Sequence, residues 1–266
     1  AALGVLDVAH ANIDRALRRV SVARGHDPRA FTLLAFGGAG PLHACQLAER
    51  LEIPRLLIPR YPGVLCALGL LMSDVGLDAS RSVLHTISEG SGAALQAELE
   101  AMVDRARGEL RFEGIDESAM TFAGWVDARY RGQSYELTIP FRGPSTGRLL
   151  EDFHAAYARQ YGHAMPEREV EVVNLRLQAT GEVDKPAMSP APCVAGDGRE
   201  ARLGQRRVVC DEGERLVGLY ERERLCPGVS FRGPALVVQM DSTVYVAPGW
   251  SACVDGYRNL VIERES

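Results

Sequence analysis

Lysine is almost missing from this sequence: Lys185 is the only one, against 29 arginines. A phosphate-cradling P-loop needs a Lys directly after its glycines, and a Schiff-base enzyme needs a desolvated Lys in a pocket. Lys185 sits in Lys185-Pro186-Ala187-Met188-Ser189-Pro190, a linker by composition, and suits neither. Long apolar runs are missing as well. The most apolar stretch, Val64 to Met72, is about half of the ~18–20 residues that a membrane-spanning helix needs, and reads as a core segment. The six cysteines (Cys45, Cys66, Cys193, Cys210, Cys226 and Cys253) form no C-x-x-C pair and have no interleaved His. That argues against a zinc site, and small hydrophobes in a reducing cytoplasm are expected instead. No metal ligands are assigned. No basic block exists either: the net charge is −5 and the arginines are dispersed among carboxylates, so nucleic acid is not an expected partner. The sequence also lacks an initiator Met and a basic leader followed by an apolar run. Secretion is therefore not expected, and the start at Ala1, inside a helical pattern, suggests a piece of a longer chain.

What is present suffices for one large core or two modest ones: 266 residues, 46% of them hydrophobic. Val5, Ala9, Ile13, Leu17 and Val20 recur at helical spacing and predict an amphipathic helix. Gly25-His26-Asp27-Pro28 ends it. Phe31 to Phe36, bounded by Gly37-Gly38, reads as a buried strand, Pro41 opens a helix, and Arg55 to Ile58 forms a second strand. Such a βαβ unit makes its two strands parallel. An apolar helix over Val64–Met72 and a helix over Leu95–Phe112 follow. Beyond them the character turns toward strands, with a hairpin around Arg131-Gly132-Gln133 and a helix over Leu149–Tyr161. Val170–Thr180 reads as a strand with Val172, Asn174, Arg176 and Gln178 on one face and Val173, Leu175, Leu177 and Ala179 on the other. Residues 183 to 199 are a surface loop, and short strands separated by Gly and Pro turns follow Arg202. The expected division is residues 1–90, then a mixed 91–266 domain with a β-rich terminal region.

Phe36-Gly37-Gly38-Ala39-Gly40-Pro41 is the most informative segment. Glycines at a strand-to-helix turn let backbone N–H groups approach a ligand where a Cβ would clash, and a nucleotide is the natural candidate. A purely structural βα turn fits the same spacing. A Rossmann fingerprint fails, since His43 stands where its third Gly belongs and Ile58-Pro59-Arg60 where its acidic residue should fall. A Walker A motif fails for want of Gly-Lys-Ser/Thr.

Three consecutive blocks resemble the hydantoinase A/5-oxoprolinase family: Arg24-Gly25-His26-Asp27-Pro28-Arg29, Ala35-Phe36-Gly37-Gly38-Ala39-Gly40-Pro41-Leu42-His43-Ala44, and Pro59-Arg60-Tyr61-Pro62-Gly63-Val64-Leu65-Cys66-Ala67-Leu68-Gly69. The similarity continues through Arg129-Tyr130-Arg131-Gly132-Gln133-Ser134-Tyr135-Glu136-Leu137, Tyr161-Gly162, Asn174-Leu175-Arg176, Gly233-Pro234-Ala235 and Asp241-Ser242-Thr243, over nearly the whole chain. The resemblance implies an α/β fold, the C-terminal part of an actin/sugar-kinase/chaperone-ATPase-like nucleotide-binding domain, followed by a mixed, β-rich α+β domain. It implies that Gly37, Gly38, Ala39, Gly40, Pro41 and His43 lie at the adenosine end of ATP. It further implies ATP-dependent opening of a hydantoin or 5-oxoproline ring through phosphorylation of the amide oxygen. The alternatives are the β-type subunit of an ATP-dependent acetone or acetophenone carboxylase, and a non-catalytic assembly module.

No Asp-Gly-Gly-Thr-type phosphate turn occurs here, so that turn and the Mg²⁺ ligands are expected upstream, and the piece is expected to be inactive alone. Family members often carry Ser where Cys66 stands, which makes Cys66 a poor nucleophile candidate; no catalytic residue is assigned. A hydantoinase B-type subunit, the missing N-terminal portion and a small cyclic-amide substrate are the expected partners. For individual side chains two readings stay open. His43 could touch ribose or phosphate, or be a surface helix residue. Arg24 and Asp27 could line a cleft or cap a turn. Arg129, Arg131, Gln133 and Tyr135 could reach a partner or form a solvated hairpin face. Tyr157, Tyr161 and His163 could be a contact patch or helix packing.

Overall fold

The computed structural model describes residues 2–210 and 213–265. Ala1 and Ser266, on which the expectation about chain ends rests, lie outside the described residues. The chain forms two compact units, Ala1–Leu71 with Pro186–Ser266, and Met72–Lys185. The division expected near residue 90 differs from this one.

In the first unit, helix α1 (Ala2–Val20) has the predicted apolar spacing, yet His10 is its one buried residue and Val5, Val8 and Val20 are exposed. Strand β1 (Thr32–Leu34) leads through the glycine turn into α2 (Gly40–Leu51), and β2 (Arg55–Ile58) returns parallel to β1. Pro41 starts α2 where a missing N–H costs nothing. Glu52, in a left-handed conformation with φ 55°, ends it by bonding back to the Ala48 carbonyl. Ala44, Cys45, Ala48 and Leu51 put one face of α2 into the core, as their spacing requires. Helix α3 (Leu65–Leu71) corrects the reading of Val64–Met72 as a core segment: none of its residues is buried, and Leu70 and Leu71 are exposed.

The second unit is a four-stranded antiparallel sheet covered by two helices. Its elements are β3 (Val75–Thr86), α4 (Ser91–Phe112), β4 (Met120–Tyr130), β5 (Leu137–Pro140), α5 (Thr146–Tyr161) and β6 (Val170–Gly181), with sheet order β3-β6-β4-β5. Leu95, Leu99, Met102, Ala106 and Leu110 form the inner stripe of α4, and Leu149, Phe153 and Tyr157 that of α5. Gly124 sits where a Cβ would come within 2.6 Å of Leu99, so glycine lets α4 approach β4. The predicted alternation of β6 needs one correction. Asp127 pairs with Asn174 but Ala128 with Val172, so Val173 is an extra residue in a β-bulge. The bulge turns Val172 into the core alongside Leu175, Leu177 and Ala179. The β4–β5 connection is also wider than the three residues expected, because pairing stops at Ala128 with Leu137.

The remaining strands belong to the first unit: β7 (Arg202–Cys210), β8 (Gly213–Glu221), β9 (Ser230–Arg232), β10 (Ala235–Gln239), β11 (Ser242–Val246), β12 (Trp250–Val254) and β13 (Leu260–Arg264). Strand β13 pairs antiparallel with β2, Ile262 facing Leu56, and completes the sheet β1-β2-β13-β12-β9; the second sheet runs β11-β10-β8-β7. This pairing is why the β-rich terminus is not a separate layer: Leu260, Ile262 and Trp250 fill one core with Leu56, Ile58 and Cys45. No described helix is long and apolar enough to cross a membrane.

Candidate functional site

The glycine turn is built from three segments. Gly37 adopts φ 84°, a conformation that side chains rarely tolerate, and its N–H donates to the Pro62 carbonyl at 2.7 Å. From below, the β10–β11 turn meets it. The Ser242 hydroxyl donates toward the carbonyls of Gly37 (3.2 Å) and Gly38 (3.1 Å), while Asp241 Oδ2 accepts from Gly63 N–H at 3.0 Å. Gln239 Nε2 donates to Asp241 Oδ1 at 2.6 Å and fixes that carboxylate. A Cβ at Gly63 would lie 2.5–2.7 Å from Asp241 side-chain and backbone atoms, so only glycine admits this contact.

The opposite side of the turn is open. Gly38 and Ala39 are exposed, nothing lies within 4 Å of a Cβ built on Gly37 or Gly40, and Gly38 would meet only the Asp241 carbonyl at 3.4 Å. The N–H groups of Gly38, Ala39 and Gly40 make no backbone hydrogen bond to a described residue. They stand at the N-terminus of α2, whose dipole favours negative charge. Gly37 to Gly40 therefore leave open space beside backbone donors at a helix start, a chemistry that fits acceptor oxygens such as those of a nucleotide.

His43 is placed elsewhere. Its Nδ1 lies 2.9 Å from Nε2 of buried His10, one ring donating to the other. Both line a cavity of about 500 Å³ between α1, α2 and β7, with Leu6, Leu42, Gln46 and Tyr245. None of the turn's glycines lines that cavity. The structure thus brings Gly37, Gly38, Ala39, Gly40 and Pro41 together and ties His43 to α1.

The other polar candidates are committed to the fold. Asp27 accepts the Arg29 N–H at 3.0 Å and pairs with the Arg29 guanidinium, whose hydrogen bonds hold its carboxyl below the ordinary value; this is the capping reading. Arg129 pairs with Glu171 at 2.6 Å, Arg131 with Glu169 at 2.6 Å, and Gln133 donates to Tyr157 at 3.0 Å, while Tyr135 is exposed. Tyr157 is buried, with ring centroids 4.5 Å from Tyr161 and 5.8 Å from His163, so helix packing accounts for that trio. Sequence reasoning assigned no role to Asp241 and Ser242. Their signal was the Asp-Ser-Thr block, whose partners lie about 200 residues away in the chain. Among the described residues, no group of three or more His, Cys, Asp or Glu could hold a metal ion.

Models of two segments of one family match this chain, Hydantoinase/oxoprolinase over residues 1–79 and the Hydantoinase/oxoprolinase C-terminal domain over residues 85–264. The chain belongs to the hydantoinase/oxoprolinase family. It is 37% identical over 99% of its length to an uncharacterized protein of Methanocaldococcus jannaschii, of which it covers 38%. It is 25% identical over 96% of its length to the caprolactamase subunit alpha of Pseudomonas jessenii, again covering 38%, and 26% identical over 99% to 5-oxoprolinase 1 of Arabidopsis thaliana, covering 21%. Among solved structures, a nucleotide-free acetone carboxylase superposes with a TM-score of 0.86 over 98% of this chain and 39% of that one, at 23% identity. The ATP-dependent caprolactamase of Pseudomonas jessenii gives 0.70 over 99% and 40%, at 24% identity. The mixed α/β fold with three sheets is thus that of its family. The chain spans about two-fifths or less of the length of these relatives.

Proposed function

We propose that this chain is part of an ATP-dependent enzyme that opens a cyclic amide, and that its glycine turn holds the adenosine side of the nucleotide. The single observation that carries the reading is the open space beside Gly37–Gly40, where the N–H groups of Gly38, Ala39 and Gly40 at the start of α2 make no backbone hydrogen bond to a described residue, in a chain related to a caprolactamase and a 5-oxoprolinase. An amide resists water because resonance weakens its carbonyl as an electrophile and its nitrogen as a leaving group. ATP, when bound, supplies a phosphoryl group to the amide oxygen, which removes both obstacles. The role of this chain's residues is binding and orientation. Backbone N–H groups of the turn bind nucleotide oxygens, while Asp241 and Ser242 keep the turn rigid, so that little ordering entropy is lost on binding.

Mg²⁺ would neutralise the phosphates and belongs, in this reading, with a preceding portion of a longer polypeptide. A B-type subunit would complete the enzyme in a reducing cytoplasm. The test is phosphate release from ATP by the longer protein with its B-type partner, driven in turn by hydantoin, 5-oxoproline, caprolactam and acetone with bicarbonate. Release with a cyclic amide supports the reading; release with acetone alone among them moves the chain to the carboxylase branch, and tight ATP binding by these 266 residues without the remainder contradicts the division of the site.

A further inference from the structure

Away from the open face of the turn, two cavities share one wall made of Arg60, Tyr61 and Arg258. The first, of about 240 Å³, is closed by Arg222, Glu223 and Gln239. The second, of about 270 Å³, has an apolar and aromatic lining that includes Leu68, Met188 and Tyr257. Arg222 is 5% exposed, and although its Nη2 donates to the Arg258 carbonyl, its Nε is buried without an acceptor. Burial pushes its guanidinium down to about 10. Among the described residues, none of Arg60, Arg222 and Arg258 forms an ion pair within 4.0 Å.

Two carboxylates, Asp255 and Glu223, act on Arg222 through their charge, but neither forms an ion pair with it within 4.0 Å. Asp255 is spent on its own turn, accepting from the N–H groups of Tyr257 (2.9 Å) and Asn259 (2.7 Å) and from Asn259 Nδ2 (2.9 Å). Glu223 is exposed. A buried cation with no counter-charge in direct contact is unfavourable, and an anion in the cavity would complete it. Gln239 sharpens the chemistry, because its Oε1 is also buried without a donor while its Nε2 is held by Asp241. A carboxylate brings acceptors only. A monoprotonated phosphoryl group brings acceptor oxygens for the guanidinium groups and one O–H for Gln239, and Arg matches it in two-point geometry. The adjoining apolar cavity gives room for an organic substituent.

We propose that the two cavities form one site for a small phosphomonoester, its phosphoryl group held by Arg60, Arg222 and Arg258 and its organic part lying against Tyr61, Leu68, Met188 and Tyr257. The site does not depend on the glycine turn binding a nucleotide. Titration calorimetry of the 266-residue chain with phenyl phosphate, inorganic phosphate and phenol tests it. Phenyl phosphate should bind about ten-fold or more tightly than either fragment. Arg60→Ala and Arg258→Ala should each weaken it about ten-fold, the size of a lost charge-assisted hydrogen bond. Tyr61→Ala should weaken phenyl phosphate and leave inorganic phosphate unchanged. These partly exposed positions carry the test because replacing buried Arg222 endangers folding. No saturable binding of phenyl phosphate, binding indifferent to both arginine variants, or equal affinity for either fragment would each overturn the proposal.

Discussion

The two units solve the same problem differently. In residues 72–185 most buried polar groups are satisfied, Arg107 Nε being the exception among the described residues. Asp127, buried at 2% exposure, accepts from Thr138 (2.7 Å), Asn174 (3.0 Å) and Arg176 (2.7 Å), and the hairpin arginines are paired with Glu169 and Glu171. The unit made of residues 1–71 and 186–266 leaves more of them open, Gln46 Oε1, Arg222 Nε and Gln239 Oε1 being buried without partners, while both units expose large apolar side chains, Val5, Phe31 and Leu70 here and Leu84 and Phe112 there. Buried polar groups are normally satisfied, so the more closed unit reads as scaffold and the one with more open polar groups as binding surface. What the contrast teaches is where to look for ligands: around the glycine turn and the arginine cavities, not at the 129–135 hairpin.

The largest expected effect tests the closed unit. Phe153→Ala empties a fully buried position between α5 and the sheet and should cost about 3–5 kcal/mol, read as lost amide protection across 72–185 in hydrogen exchange. Equal loss of protection in the other unit would show that the two do not stand apart energetically. Next comes Gly63→Ala, which drives a methyl group into Asp241 and should destabilise by about 1–3 kcal/mol. If the clamp positions the turn, this variant also loses nucleotide affinity in the longer protein, and Ser242→Ala loses less; unchanged affinity in both would make the clamp merely structural.

A smaller effect comes from acid. Burial by itself raises the Asp127 carboxyl, yet hydrogen bonds from Thr138, Asn174 and Arg176, with the Arg176 charge, hold it below the ordinary value. A folded-state pKa below the unfolded one stabilises fully above the unfolded value of about 3.9, and that contribution disappears as the pH falls through the folded pKa. Chemical denaturation from pH 6 to pH 2 should therefore show a loss that Asp127→Asn makes smaller, the remainder belonging to other lowered carboxyls such as Asp27 and Asp74. The smallest effect belongs to Tyr135→Ser. At 83% exposure this side chain should change stability by less than about 0.5 kcal/mol, and a larger loss in the isolated chain would show that the hairpin is not a solvated face.

Local pattern was enough for much of the fold. Pro41, the spacing of Ala44, Cys45, Ala48 and Leu51, and the run Arg55–Ile58 are near-neighbour signals, and helix α2 and strand β2 follow from them. The bulge at Val173 was not legible, because it is set by the partner strand's register and not by the strand's own alternation. Burial of Val64–Met72 was misread for a related reason: composition reports what could be covered, while only the neighbours decide what is. The glycine turn was visible as a candidate, but its support from Asp241 and Ser242 was not, since hydrogen bonds across about 200 residues leave no periodicity.

By itself, then, the sequence determined the βα turn with its glycines, helices α4 and α5 with one hairpin between them and the family blocks, because backbone preference and apolar spacing act over a few residues. Only the tertiary structure decided that the terminal strands complete the first sheet, that His43 belongs to His10, and that Arg60, Arg222 and Arg258 converge. Those outcomes depend on which distant surfaces pack, and electrostatic environment is a property of that packing.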